Sequence, residues 1–257
     1  METTARSKPK SNALRNVGAL ARREMGFYFN SPVAYITITL FLVVCGVYLF
    51  SMDDIATGRS FFEDNEASLR KLFDVIPVIF ILIIPAITMR LLAEEKRSGT
   101  IELLFTMPVT DTQIALGKFL GGLAFLAITL LATIPLPFIV GTLGNLDVGA
   151  LIAGYIGLFL LGSAYLAIGL MASSWTDNQI VAYLLAALIC AFFYAISGMV
   201  SVVWAGAQDA MAALSFEGHF ANITRGVIDT RDVVFYLSFV VVALVITVQS
   251  LQARNWK

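Results

Sequence analysis

The chain has 257 residues, of which 58% are hydrophobic and 14% charged, with a mean hydropathy of +0.83. Soluble domains hold about 45–50% apolar and about 25% charged residues, so this composition excludes a single soluble core and makes lipid the fitting solvent. The net charge of −1 decides nothing alone; the positions of Lys and Arg do, because they sort by membrane side.

Residues 1–12 form a polar, basic tail (Arg6, Lys8, Lys10). No apolar run follows before Pro32, too far for a cleaved signal peptide, so the first span is expected to be retained. Residues 13–31 read as an interfacial helix: Leu14, Val17, Gly18, Ala21, Met25 and Tyr28 recur on one face at helical spacing, and Arg15, Arg22 and Arg23 lie on another. An ordinary juxtamembrane helix is the plainer alternative.

Residues 32–257 are expected to form an all-α integral membrane domain. A charge costs several kcal/mol at the bilayer centre, so charge-free windows mark the spans. Six are predicted, at 33–51, 73–92, 114–140, 150–172, 179–202 and 233–250. The third carries Pro135 and Pro137, which predict a kink, and a Gly117-x-x-x-Gly121 pair, which permits close packing but is common by chance. With the N-terminus inside, twelve Lys and Arg fall inside and five outside, so both termini are expected to be cytoplasmic. A cysteine introduced at Ser60, in the acidic loop between spans one and two, should therefore react with an impermeant thiol reagent in intact cells; labelling at position 98 but not at 60 would invert the topology.

The stretch from Arg90 to Thr112 carries the most information. Glu94, Glu95, Lys96 and Arg97 extend span two out of the membrane, and Ser98-Gly99 ends that helix. Thr100 can cap a new helix with Glu102 in its first turn, Pro108 stops it, and Thr110 with Gln113 forms a capping-box pattern opening span three. A short helix across the ends of two spans suits a lever touching a soluble partner, although a plain connector has the same length. Charge reversal at Glu94 and Glu95 is expected to leave folding intact, because both lie outside the lipid.

Residues 204–231 are too rich in charge to span (Asp209, Glu217, Arg225, Asp229), and they are expected to form an outer re-entrant segment against spans five and six. Arg225 and Asp229 could pair if helical. His219, the only histidine, is expected to be structural. Cys45 and Cys190 sit in apolar runs and read as small buried hydrophobes.

The chain lacks a phosphate loop, since Phe119 follows Gly117-Lys118, and it lacks H-E-x-x-H and G-x-S-x-G. It is expected to be non-catalytic. The middles of the spans lack ionisable residues, which argues against ion-coupled transport.

The stretch Ala93-Glu94-Glu95-Lys96-Arg97-Ser98-Gly99-Thr100-Ile101-Glu102-Leu103-Leu104, followed by Met107-Pro108-Val109, closely resembles the coupling loop of ABC-2 type transporter permeases. Asn30-Ser31-Pro32-Val33-Ala34-Tyr35 and Arg225-Gly226-Val227-Ile228-Asp229-Thr230-Arg231-Asp232 resemble the gliding-motility-type subgroup, an address by ancestry rather than a sign of motility. The resemblance implies two permease chains pairing in the bacterial inner membrane, each engaging an ABC ATPase subunit that binds ATP and Mg; this chain holds no cofactor and no nucleic acid. It implies that Thr100–Met107 is the coupling helix, 13–31 the connecting helix, and the turn Ser173–Asn178, with Asp177, a second cytoplasmic contact. It places the re-entrant cap, with His219, Arg225 and Asp229, outside, where an auxiliary extracytoplasmic protein can act. Export is the leading expectation; a scaffold or mechanotransmitter driven by the ATPase is the alternative.

Overall fold

The computed structural model describes residues 13–51, 69–100, 109–144, 146–199 and 213–253. Every regular element among them is an α-helix. In chain order they are α1 (Ala13–Phe29), α2 (Pro32–Ser51), α3 (Arg70–Thr88), α4 (Arg90–Arg97), α5 (Asp111–Leu131), α6 (Pro135–Leu143), α7 (Val148–Trp175), α8 (Gln179–Met199), α9 (Phe216–Thr224) and α10 (Thr230–Ala253).

Among the described residues, six helices or helix pairs are long and apolar enough to cross a membrane: Pro32–Phe50, Arg70–Arg97, Asp111–Leu143, Val148–Trp175, Gln179–Ile196 and Thr230–Ala253. They overlap the six predicted spans one for one. The third is broken where the prolines predict it, at Ala132–Ile134, and Pro135 opens α6 at a first-turn position that needs no N–H. Thr133 and Tyr155 share a 2.7 Å hydroxyl–hydroxyl bond at this break.

The fourth span, α7, is the axis of the bundle. Two-thirds of its apolar window is buried, against about a fifth for the first, fifth and sixth spans, and it packs on α3, α4, α5, α8, α9 and α10. It is apolar all round, as a fully enclosed helix must be. Glycines let its neighbours approach closely. A Cβ at Gly154 would lie 2.3 Å from the Phe73 ring, one at Gly162 2.7 Å from Leu126, and one at Gly169 2.0 Å from Thr88 Oγ1. Asp147 caps its start, its Oδ1 accepting from the amides of Gly149 and Ala150.

The outer spans turn apolar faces away from the bundle: Ile36, Leu40 and Val43 on α2, Leu184, Leu188 and Phe192 on α8, and Val234, Val241 and Val245 on α10. In lipid these faces need no further cover. Facing inward, Phe41 of α2 stacks on Phe80 of α3 at 5.6 Å.

The first helix packs chiefly on α5. It accompanies α5 in the same direction and in register: Asn16 bonds Gln113, Leu20 lies over Gly117, Glu24 over Gly121, and Tyr28 against Phe125. Twelve residues of shared path correspond to about 18 Å of helix. Leu14 and Gly18, expected on the apolar face, are exposed; the packing stripe is Asn16, Leu20, Glu24 and Tyr28, spaced by four. Arg15, Arg22 and Arg23 are exposed, as expected of the polar side.

Candidate functional site

The α4 end of the bundle is organised around Lys118. It stands on α5 seven residues past the first residue of the helix, beyond a capping box in which Thr110 Oγ1 accepts from the Gln113 amide and Gln113 Oε1 from the Thr110 amide. Its side chain is 3% exposed. Its Nζ lies 2.9 Å from Glu24 Oε1 of α1 and 2.8 Å from Glu95 Oε1 of α4. One ammonium therefore joins three helices. A buried charge is tolerated only when paired, and removing one partner of such a pair costs about 3–5 kcal/mol. Glu95 Oε2 is buried without a hydrogen-bond partner among the described residues, so the node contains more carboxylate than one lysine satisfies. Tyr28 lies beside it; burial first, and then the charge of Glu24, raise its pKa far above the usual phenol value, so it stays neutral.

A second set of bonds fixes α4. The chain leaves α3 at Met89, after Thr88 packs on Gly169. The amides of Leu92 and Ala93, orphaned by the break, donate to Ser173 Oγ of α7 at 3.1 and 3.0 Å, and that hydroxyl donates to Met89 O at 3.0 Å. Lys96 Nζ donates to the carbonyl of Ser174, which also accepts from Ser250 Oγ of α10 at 3.0 Å. Helix α4 thus rests on the end of the fourth span.

Helix α4 ends at Arg97, with Ser98 as its cap and Gly99 at φ +71°. A side chain there would meet no atom within 4 Å, so only backbone strain demands glycine. Gly99→Val is expected to leave the bundle folded while misdirecting the chain beyond it, at about 1–2 kcal/mol of local strain. Stimulated turnover of an associated ATPase should fall, and Gly99→Asn should be milder; equal turnover in all three proteins would remove the turn from the mechanism.

The expected site residues divide into two groups. Arg97, Ser98, Gly99, Thr100 and Asp177 are exposed, and Glu94 is half-buried. Lys96 and Glu95 turn inward. Glu95 was expected to face a partner and to tolerate charge reversal; held against Lys118, it is part of the support, and a lysine there would oppose Lys118 directly. Glu102 and the rest of the expected coupling helix, 101–108, lie outside the described residues. Thr100 Oγ1 is 2.8 Å from Ser98 Oγ and 3.4 Å from Glu95 O. Glu24 and Lys118 were not singled out in the sequence as site residues, and Ser173 entered only as the first residue of the expected second contact, 173–178.

At the opposite end, α9 enters the bundle without crossing it. Nine residues make about 14 Å, less than half a bilayer core. Phe216 lies among Tyr165, Phe193, Tyr236 and Phe239, side chains of three spans, and the turn at Gly226 returns to Ala150 at the start of α7. Besides the fifth and sixth spans it packs on the fourth. Residues 204–212 lie outside the described residues. His219 clasps α9 to α10: Nδ1 is 2.5 Å from Asp232 Oδ1, Nε2 is 3.2 Å from Ala213 O, and the ring stacks on Phe235 at 3.9 Å. Arg225 and Asp229 do not form the expected helical pair. The helix ends at Thr224, Gly226 takes φ +89°, and Asp229 instead accepts the Arg231 amide at the start of α10.

Six membrane-length helices, one central and glycine-lined, joined at one end to a charged helical extension, define a polytopic membrane subunit. Residues 48–216, about two-thirds of the chain, match the family described as ABC-2 family transporter protein, and the chain belongs to that family. It is a permease component of an ABC transporter, and membership implies association with an ABC ATPase and typically with a second permease. No curated protein matches the chain.

Proposed function

We propose that this protein is the membrane-spanning subunit of an exporter in which a separate ATPase, binding ATP and Mg, moves α4 and the turn after it. The observation that carries this reading is the Lys118 node, through which a push on α4 reaches α1 and α5 together. In this reading the α4 end is cytoplasmic in a bacterial inner membrane, as the Lys and Arg bias favours. Glu94, Arg97 and Ser98 face the ATPase, Thr100 opens the segment that carries the coupling helix, and Asp177 supplies a second contact. Helix α9 closes the opposite face, where an auxiliary extracytoplasmic protein can dock. The stretches 30–35 and 225–232 ally the chain with gliding-motility-type permeases. It pairs with a second permease chain, of its own kind or another.

The test uses the complex recovered by detergent pull-down. Glu94→Lys with Arg97→Glu reverses two side chains outside the node and is expected to weaken ATPase binding by roughly tenfold or more, since misplaced interface charges cost recognition. Unchanged binding and turnover would reduce the loop to a connector. Flux in vesicles containing the wild-type complex then separates export from mechanical transmission to an external partner.

A further inference from the structure

A cavity of about 470 Å³ opens beside the Lys118 node, between α1, the start of α2, the α3–α4 junction and α5. That is within the usual size of ligand pockets, about 300–1,000 Å³. Its lining is graded. Along α3 and α4 it passes from Ala86 and Ile87 to Arg90, Glu94 and Ser98; along α5, from Phe125 to Lys118; along α1, from Phe27 to Arg23. The three paths agree on which end is apolar and which is charged. The apolar end points toward the membrane-length parts of α2 and α3, and the charged end toward α4.

Lys118 is committed to Glu24 and Glu95. The remaining charges at the mouth are the guanidiniums of Arg23 and Arg90 and the carboxylate of Glu94. Both arginines are exposed, and neither forms an ion pair among the described residues. Two guanidiniums lining the charged end of a cavity whose other end is apolar suit a phosphate attached to an acyl chain.

We propose that this cavity binds a glycerophospholipid of the adjoining leaflet, with its phosphate between Arg23 and Arg90 and an acyl chain between α2, α3 and α5. The lipid then forms part of the wall that carries the node, and its presence stiffens the contact between α1 and α4.

The full-length protein is placed in phosphatidylethanolamine vesicles containing a trace of phosphatidylglycerol with a diazirine near the end of one acyl chain. After irradiation, adducts are mapped by mass spectrometry; neither the ATPase nor ATP is needed. Adducts should concentrate on Val33–Thr37 and Ala86–Ile87. Arg23→Gln with Arg90→Gln should lower them about five- to tenfold, because charge-assisted bonds to the phosphate are lost, while adducts on Val241 and Val245 of α10 stay constant. Ala86→Trp, which fills the apolar end without touching the arginines, should lower them as well. Cavity adducts no denser than those on α10 and indifferent to both variants would overturn the proposal. So would an absence of cavity adducts because a second copy or residues 101–108 fill the space.

Discussion

Replacing Lys118 with alanine is expected to destabilise the α4 end of the protein by about 3–5 kcal/mol, the cost of leaving buried charge without its partner. Glu24 and Glu95, from two other helices, lose their shared cation at once. In detergent the purified variant should melt earlier than wild type. The combination of Lys118→Met, Glu24→Gln and Glu95→Gln removes the charges together and should recover much of the stability, because an ion cluster exchanged for neutral groups of similar volume is often close to neutral. If the node also transmits motion, the triple variant should bind the ATPase and still fail to link hydrolysis to movement. A Lys118→Ala protein that melts with wild type would show the node to be dispensable.

The second large effect is expected from Gly117→Ala with Gly121→Ala. The two new Cβ atoms would lie 2.5 Å from Leu20 Cβ and 2.6 Å from Glu24 Cβ, and the second also 3.3 Å from the Ala21 carbonyl. These neighbours begin at the α1 backbone, so rotamer changes cannot clear them and the helix must move. Overpacking of this kind costs about 1–3 kcal/mol per site. Hydrogen exchange should show α1 losing protection while α7, buried by six other helices, keeps its own. Retained protection in α1 would mean that the close approach is not needed to hold it.

How much of this was legible in the sequence depended on how local each signal was. The spans were legible because a charge in lipid is costly wherever it stands, so their limits follow from composition along the chain. The Thr110–Gln113 box, the Gly99 turn and the break at Pro135 were legible for the same reason: donor, acceptor and strain lie within a few residues. The node was not. Glu24 and Lys118 are separated by 94 positions, and nothing local to either names the other. The available signal was a lysine beside the Gly117–Gly121 pair, in a helix whose other charge is Asp111 at its first residue. The pair was visible, but its partner was not. The glycines of α7 were visible too, yet their meaning lies in Phe73, Leu126 and Thr88 on other spans. The failure of the Arg225–Asp229 pair is local: it assumed helix across Gly226, which adopts a left-handed turn.

The hydroxyl of Ser173 has one proton to give and room to accept two, and all three places are taken by the backbone around the α3–α4 break. Although α4 continues the second span in sequence, in mechanical terms it is a flange bolted to the fourth. A torque applied to α4 is delivered to the central axis of the bundle, and the second span can swivel at Met89 only by releasing the bolt. With no spare valence at Ser173 the joint cannot slide by degrees; it is engaged or it is free, the kind of discrete element from which two-position machinery is built.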